Sequence, residues 1–388
     1  MNQKNQNIDI NSTMAVTSAI LISVIGPSVF IVQPGFVQGL VELLNFTEQE
    51  AGYVAAAEMW GIAITTVFLT FLTGRLNWHH LISISAVLMI AGNLSSLLFS
   101  DPLMFAITRV LVGIGAGTMI SLGFTILGLT SNPGKNFAYM VMWVLLYGGI
   151  VLILLPTAFE LIGMDGLLVF FAFFASLTFL FVRYLPSSGK EHANLEADSI
   201  TAPTFYRVMA VISVFVFFMG IGAIWTYLFL IGMGSGGTEQ QIANALTLCQ
   251  FMGAAGAFTA VLVGNKHGRI RPLIVGVFGC LVAMYMLFGA IGLFVYTLAV
   301  CIFNYAYNMT HPYLYAALSS IDRSGFVIRY AVAGQMLGTA IGPTIAASVV
   351  EPGMFTNVIT VSIFFFALTM LFIIPPLINH RRAVKQLS

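Results

Sequence analysis

Between Thr13 and Asn379 the chain is a succession of long apolar stretches separated by short polar turns. A stretch of about 20 apolar residues is what a helix needs to cross the hydrocarbon of a bilayer. In lipid every backbone N–H and C=O must be satisfied within the protein, so uninterrupted runs of this kind fold as spanning helices. The strict alternation of an outer-membrane barrel is absent. Only 7% of the 388 residues are charged, against about a quarter in a soluble domain, which excludes a single water-soluble core. The polar start, Met1 to Asn11, lacks the pattern of a cleaved signal, so the first apolar run is expected to stay as a span. Cys249, Cys280 and Cys301 lie inside apolar runs and imply no disulfide framework.

Twelve spans are read, at about 14–41, 51–73, 81–99, 103–129, 136–163, 166–185, 206–233, 241–263, 273–292, 294–320, 328–350 and 355–379. An even number puts both termini on one side. Every Lys and Arg except Arg109 falls on that side, from Lys4 and Arg75 through Lys135, Arg183, Lys266 and Arg323 to Lys385. The opposite side carries Glu42, Glu48, Glu50, Asp101, Glu160, Asp165, Glu239 and Glu351. Positive residues mark the cytoplasmic face, so both termini are expected inside a plasma or inner membrane. Net charge near +1 gives no basic run for nucleic acid.

The polar stretch from Pro186 to Thr204 divides the chain near its middle, giving an amino-terminal six-helix half over 1–185, a cytoplasmic linker over 186–205 and a carboxy-terminal half over 206–388. The halves echo each other. Gly74-Arg75 opens the turn after span two, and Gly264 opens a basic turn through Arg271 after span eight, 190 positions later. Two basic, glycine-led turns at equivalent places indicate a duplicated six-span unit.

One arginine, Arg109, stands inside span four, followed by Gly113, Gly115 and Gly117. A cation at membrane depth costs about 2.5–3.5 kcal/mol on insertion scales and persists only with a partner or a cavity. The one other charge set as deep is Glu58, in span two of the same half. The pair is therefore expected to meet. Burial and a neighbouring arginine act on a glutamate in opposite senses, which can leave it titratable in the working range. A protonated Glu58 would release Arg109 to water or an anionic solute, and a deprotonated one would reclaim it, giving a two-state element biased by protons.

In span ten Asn304, Asn308, His311 and Tyr315 share a helical face, as expected for a polar cavity lining. Gln33 follows the breaker Pro27 and precedes Pro34 in span one, where a discontinuous helix can hold solute. Tyr147, Trp225, Gln250 and Gln335 are further lining candidates. Gly338 and Gly342, with Pro343, suit a close-packed seam in span eleven.

Twelve spans, six plus six, with a central linker, basic turns at Gly74-Arg75 and Gly264–Arg271, and the Arg109-Gly113-Gly117 pattern, together resemble the major facilitator superfamily of secondary transporters. The resemblance covers essentially the whole length. It implies an all-α membrane fold of two pseudo-symmetric six-helix bundles, alternating access and a monomeric unit. The first turn lacks the family's aspartate. The family's glycine-proline motif, associated with antiport, is not in span five; Gly342-Pro343 stands in the pseudo-equivalent span eleven.

No enzyme constellation, metal-ligand spacing or phosphate-cradling loop is present in the sequence. With no cofactor, the proton gradient is the expected energy source. The expected partners are a small-molecule solute and the lipid bilayer. The favoured reading is proton-coupled uptake of a small polar or anionic organic solute. The alternatives are proton-driven efflux of amphipathic compounds, favoured by the many Phe and Met residues, and a non-transporting sensor or lipid-handling protein on the same scaffold.

Overall fold

The structure, a computed structural model, describes residues 8–72, 76–188, 203–264, 270–321 and 326–387. Gly74, Arg75 and most of the segment read as the central linker lie outside the described residues.

The fold is all-helical. Span one is broken into α1 (Thr13–Ile25), α2 (Ser28–Ile31) and α3 (Gln33–Leu44), because Pro27 and Pro34 cannot donate to a continuous ladder. Then come α4 (Glu48–Leu72), α5 (Trp78–Ser96), α6 (Pro102–Gly128) and α7 (Pro133–Ser176). Helix α7 is two passes in one: Gly163 takes φ 62°, and this left-handed residue reverses the chain at the turn expected between spans five and six. The short α8 (Thr178–Phe181) ends the first half. The second half holds α9 (Thr204–Met233), α10 (Glu239–Val263), α11 (Ile270–Met286), α12 (Leu293–Ile321), α13 (Phe326–Val349) and α14 (Thr356–Leu387).

Among the described residues, eight helices are long and apolar enough to cross a membrane on their own. Counting α7 as two passes, α1–α3 as one, and the less apolar α5 and shorter α11 as one each gives twelve. The fold is thus an integral membrane bundle of two six-helix halves.

Small residues set how the helices meet. In the first half α6 packs on α4, and a Cβ on Gly113 would lie 2.1 Å from the Glu58 carbonyl oxygen, one on Gly117 2.6 Å from that of Ile62. Only glycine permits that approach. In the second half α13 packs on α9 in the same manner, with Gly338 against the Phe215 carbonyl, Gly342 against that of Met219 and Pro343 against Gly222. The close-packed seam expected at Gly338, Gly342 and Pro343 therefore lies between α9 and α13.

The halves meet through α4 on α13, α7 on α10 and α3 on α9. Hydrogen bonds across this boundary, among the described residues, fall at mid-depth or on the side away from the termini. Tyr227 donates to the Glu48 carbonyl at 3.1 Å, Gln240 to the Ile153 carbonyl at 3.0 Å, and the Gly353 N–H to the Glu48 carboxylate at 3.3 Å. Deeper in, Trp225 donates to the Phe30 carbonyl and Trp60 to Thr344, both at 3.1 Å. Among the described residues the halves are thus hydrogen-bonded to each other on the far side and at mid-depth, and not on the terminal side.

Candidate functional site

Two features lie between these helices: a buried ion pair inside the first half and a cavity between the halves.

Asp101 caps α6 by accepting from the Met104 N–H at 2.9 Å, and Pro102 occupies the first turn. Arg109 follows two turns in and is completely buried. Glu58, 2% exposed, approaches it across the Gly113 contact, with Oε2 3.7 Å from a terminal guanidinium nitrogen. The two charges are thus brought together as expected.

Arg109 is anchored chiefly on α5, donating to Asn93 at 3.0 Å, to the Gly92 carbonyl at 3.1 Å and to Ser96 at 2.8 Å. Ser96 is itself tied to Thr108 at 2.6 Å. The Phe36 and Phe105 rings lie over the guanidinium at 5.7 and 5.6 Å, a favourable cation–π setting. Glu58 at 3.7 Å lies beyond hydrogen-bond distance, and its Oε1 has no partner among the described residues. Arg109 is therefore the hydrogen-bonded member of the pair, and Glu58 meets it through charge alone. Asn93 and Ser96, one turn apart in a membrane helix, are the signal that points to this cradle.

The cavity encloses about 660 Å³, within the range of small-molecule sites. Its lining runs from Trp225 and Gln250 at mid-depth to Phe124, Phe137, Tyr315 and Gln335 near the terminal side. Of the expected lining residues, Trp225, Gln250, Asn304, Asn308, His311, Tyr315 and Gln335 all reach it. Tyr307, Phe218 and Thr339 also line it and were not singled out from the sequence.

Two expected lining residues do not reach it. Gln33 follows the bend at Val32, is 2% exposed, and has no hydrogen-bond partner for its amide among the described residues. It lies one turn before Phe36, on the face turned to Arg109. Tyr147 stacks on Phe174 at 5.1 Å with planes 7° apart, which holds its ring behind the wall. Arg109 and Glu58 are also absent from the lining, so an anionic solute in the cavity would not meet the arginine.

The two walls differ in chemistry. The first half contributes Pro27, Phe30, Ile31, Met59, Ile62, Ile120, Met140 and Val144, with Ser23 as a polar exception. The second half contributes the amides. Asn304 donates to the Cys249 carbonyl at 2.8 Å and to Gln250 at 3.1 Å, and Asn308 donates to the Asn304 side chain at 2.8 Å. Tyr315 donates to Gln335 at 2.5 Å. No Lys, Arg, Asp or Glu lines the cavity among the described residues.

Among curated proteins none matches the sequence. Solved structures share the fold at low identity. The inward-open conformation of the xylose transporter XylE from E. coli is 17% identical, with a TM-score of 0.72 over 92% of this chain and 95% of that one. A D-xylose-proton symporter is 18% identical, with a TM-score of 0.75 over 93% and 97%. The nucleoside transporter NupG, as a mutant, is 12% identical, with a TM-score of 0.70 over 93% and 98%. The family model described as Major Facilitator Superfamily matches residues 18–343. With its twelve passes, two halves and a cavity between them, the chain belongs to the major facilitator superfamily and is a secondary transporter by fold.

Proposed function

We propose that this protein is a proton-coupled secondary active transporter that carries a small, uncharged organic solute by alternating access, with Glu58 as the proton carrier and Arg109 as its fixed counter-charge. The observation that carries the reading is the buried Arg109–Glu58 contact at 3.7 Å, in which only the arginine is anchored. A carboxylate held by charge alone loses its attraction once protonated, and Glu58 then leaves Arg109 without breaking a hydrogen bond. The halves 1–185 and 206–388 rock about the linker 186–205, and the far-side latch at Glu48 opens as the terminal side closes.

The basic residues of the terminal side support a cytoplasmic location for both termini, so the cavity described above faces inward. The proton gradient supplies the energy without a cofactor, and the working unit is a monomer in the bilayer. The uncharged wall of the cavity favours a neutral solute over the anionic one expected from the sequence. Proton–solute symport is the preferred mode, in keeping with the relative named as a D-xylose-proton symporter. Efflux of amphipathic compounds is the second reading, favoured by the flexible Met59, Met140 and Met336 in the wall.

The test uses purified protein in vesicles with a pH-sensitive dye inside and uridine, nicotinamide and D-xylose added outside in turn. A solute-dependent proton flux that is lost in Glu58→Gln, while solute exchange persists, is the expected result. Inward flux supports symport and outward flux efflux. No flux with any probe, or an unchanged flux in Glu58→Gln, overturns the proposal.

A further inference from the structure

The proposed transport function leaves the solute's chemistry open, and the two unlike walls narrow it. On the second half Phe303, Tyr307 and His311 follow one another at intervals of four along α12, with ring centroids 6.4 and 6.1 Å apart and planes within 17° and 14°. Phe218 and Tyr315 close edge-on against His311, each at 5.2 Å. The rings are thus fixed before any ligand arrives, so little ordering cost remains.

Beside them two polar groups are left unspent. The Asn308 carbonyl oxygen accepts no hydrogen bond and the Gln250 amide donates none among the described residues, while the opposite ends of both side chains are engaged. The facing wall offers only the Ser23 hydroxyl, which already donates to the Ala19 carbonyl at 2.8 Å.

These facts exclude by chemistry. A charged solute would have no opposite charge in the cavity. A sugar, with hydroxyls on every side, would leave several of them unmatched against the first-half wall. A purely apolar solute would bury Asn308 and Gln250 without partners. A flat ring with an apolar face and a polar edge meets both walls.

We infer that the cavity takes an uncharged, planar heteroaromatic or phenolic compound, its ring lying against Tyr307 and His311 and its polar edge bonded to Asn308 and Gln250. The inference rests on reading the cavity as the transport site.

The experiment is a thermal-shift and Trp-fluorescence titration of the purified full-length protein. The probes are nicotinamide and uracil, with nicotinate as the charged counterpart of nicotinamide and D-xylose as the polyol without an aromatic ring. Nicotinamide and uracil are expected to bind, and nicotinate and D-xylose to bind at least about tenfold more weakly. Tyr307→Leu should weaken ring binding roughly tenfold, whereas Tyr307→Phe, which keeps the ring, should retain it. Equal binding of nicotinate or D-xylose overturns the inference, as does full affinity in a folded Tyr307→Leu, or failure of both neutral rings to bind. Exchange of labelled nicotinamide across vesicles reads the transporter itself. Binding without exchange overturns the transport reading and leaves the ring assignment standing.

Discussion

Gly113 fixes the distance at which Glu58 meets Arg109, so Gly113→Ala tests the geometry of the pair without touching either charge. The added methyl would stand 2.1 Å from the Glu58 carbonyl oxygen and 3.0 Å from the Gly61 Cα, both rigid backbone atoms. Restoring an ordinary 3.4 Å contact requires α4 to withdraw by about 1.3 Å. The ion pair, 3.7 Å apart, would then open to about 5 Å. At an effective dielectric of about 20, that opening weakens the attraction by roughly 1 kcal/mol. Overpacking of the seam adds about 1–3 kcal/mol. Gly113→Ala should therefore melt several degrees below wild type and show a weakened solute-dependent proton flux. Gly128→Ala is the control, because nothing lies within 4 Å of its would-be Cβ. Wild-type melting and flux in Gly113→Ala would refute both the close approach of α4 and α6 and the placement of the pair.

The cradle on α5 makes a separate prediction. Asn93→Ala removes one charge-assisted hydrogen bond from a buried guanidinium and should lower stability by about 1.5–3 kcal/mol, read by thermal unfolding, and an unaltered unfolding curve would contradict the anchoring. Tyr227→Phe cuts the far-side latch and should shift the equilibrium toward a state open on the far side by roughly fivefold, for a bond worth about 1 kcal/mol. Spin labels at the exposed far-side positions 160 and 294 would report this as a larger long-distance population, and an unchanged distribution would remove Tyr227 from the latch. Under symport, acidifying the outside raises solute accumulation because more protons are available to Glu58, whereas Glu58→Gln should accumulate nothing at any pH. A residual pH-dependent accumulation in that variant would assign the proton elsewhere.

The spans were legible because hydropathy is a local property: a run of about 20 apolar residues declares itself wherever it packs. The break in span one was also legible, from Pro27 and Pro34. The meeting of Glu58 and Arg109 followed from scarcity, since deep charges need one another. What surrounds them did not follow. Asn93 and Ser96, one turn apart, mark a polar face on α5, but the sequence does not tell that this face meets Arg109. Gln33 and Tyr147 were read as lining because polar membrane residues favour cavities, but the turn at Val32 and the stack on Phe174 direct them behind the wall. The same shortfall left the solute open between a polar and an anionic one. Depth along a helix can be counted from sequence, but rotation about its axis relative to the other half cannot.

Among the described residues Glu58 is the only carboxylic acid that is buried, which gives the proton-carrier claim a solute-independent test. Infrared difference spectra of the purified protein, recorded as the pH is lowered, report protonation of a buried carboxyl by its C=O stretch. The account predicts one such band in the wild type, shifted by a bound solute and absent in Glu58→Gln. A band that persists in Glu58→Gln, or a wild-type spectrum without one across the working range, would contradict it.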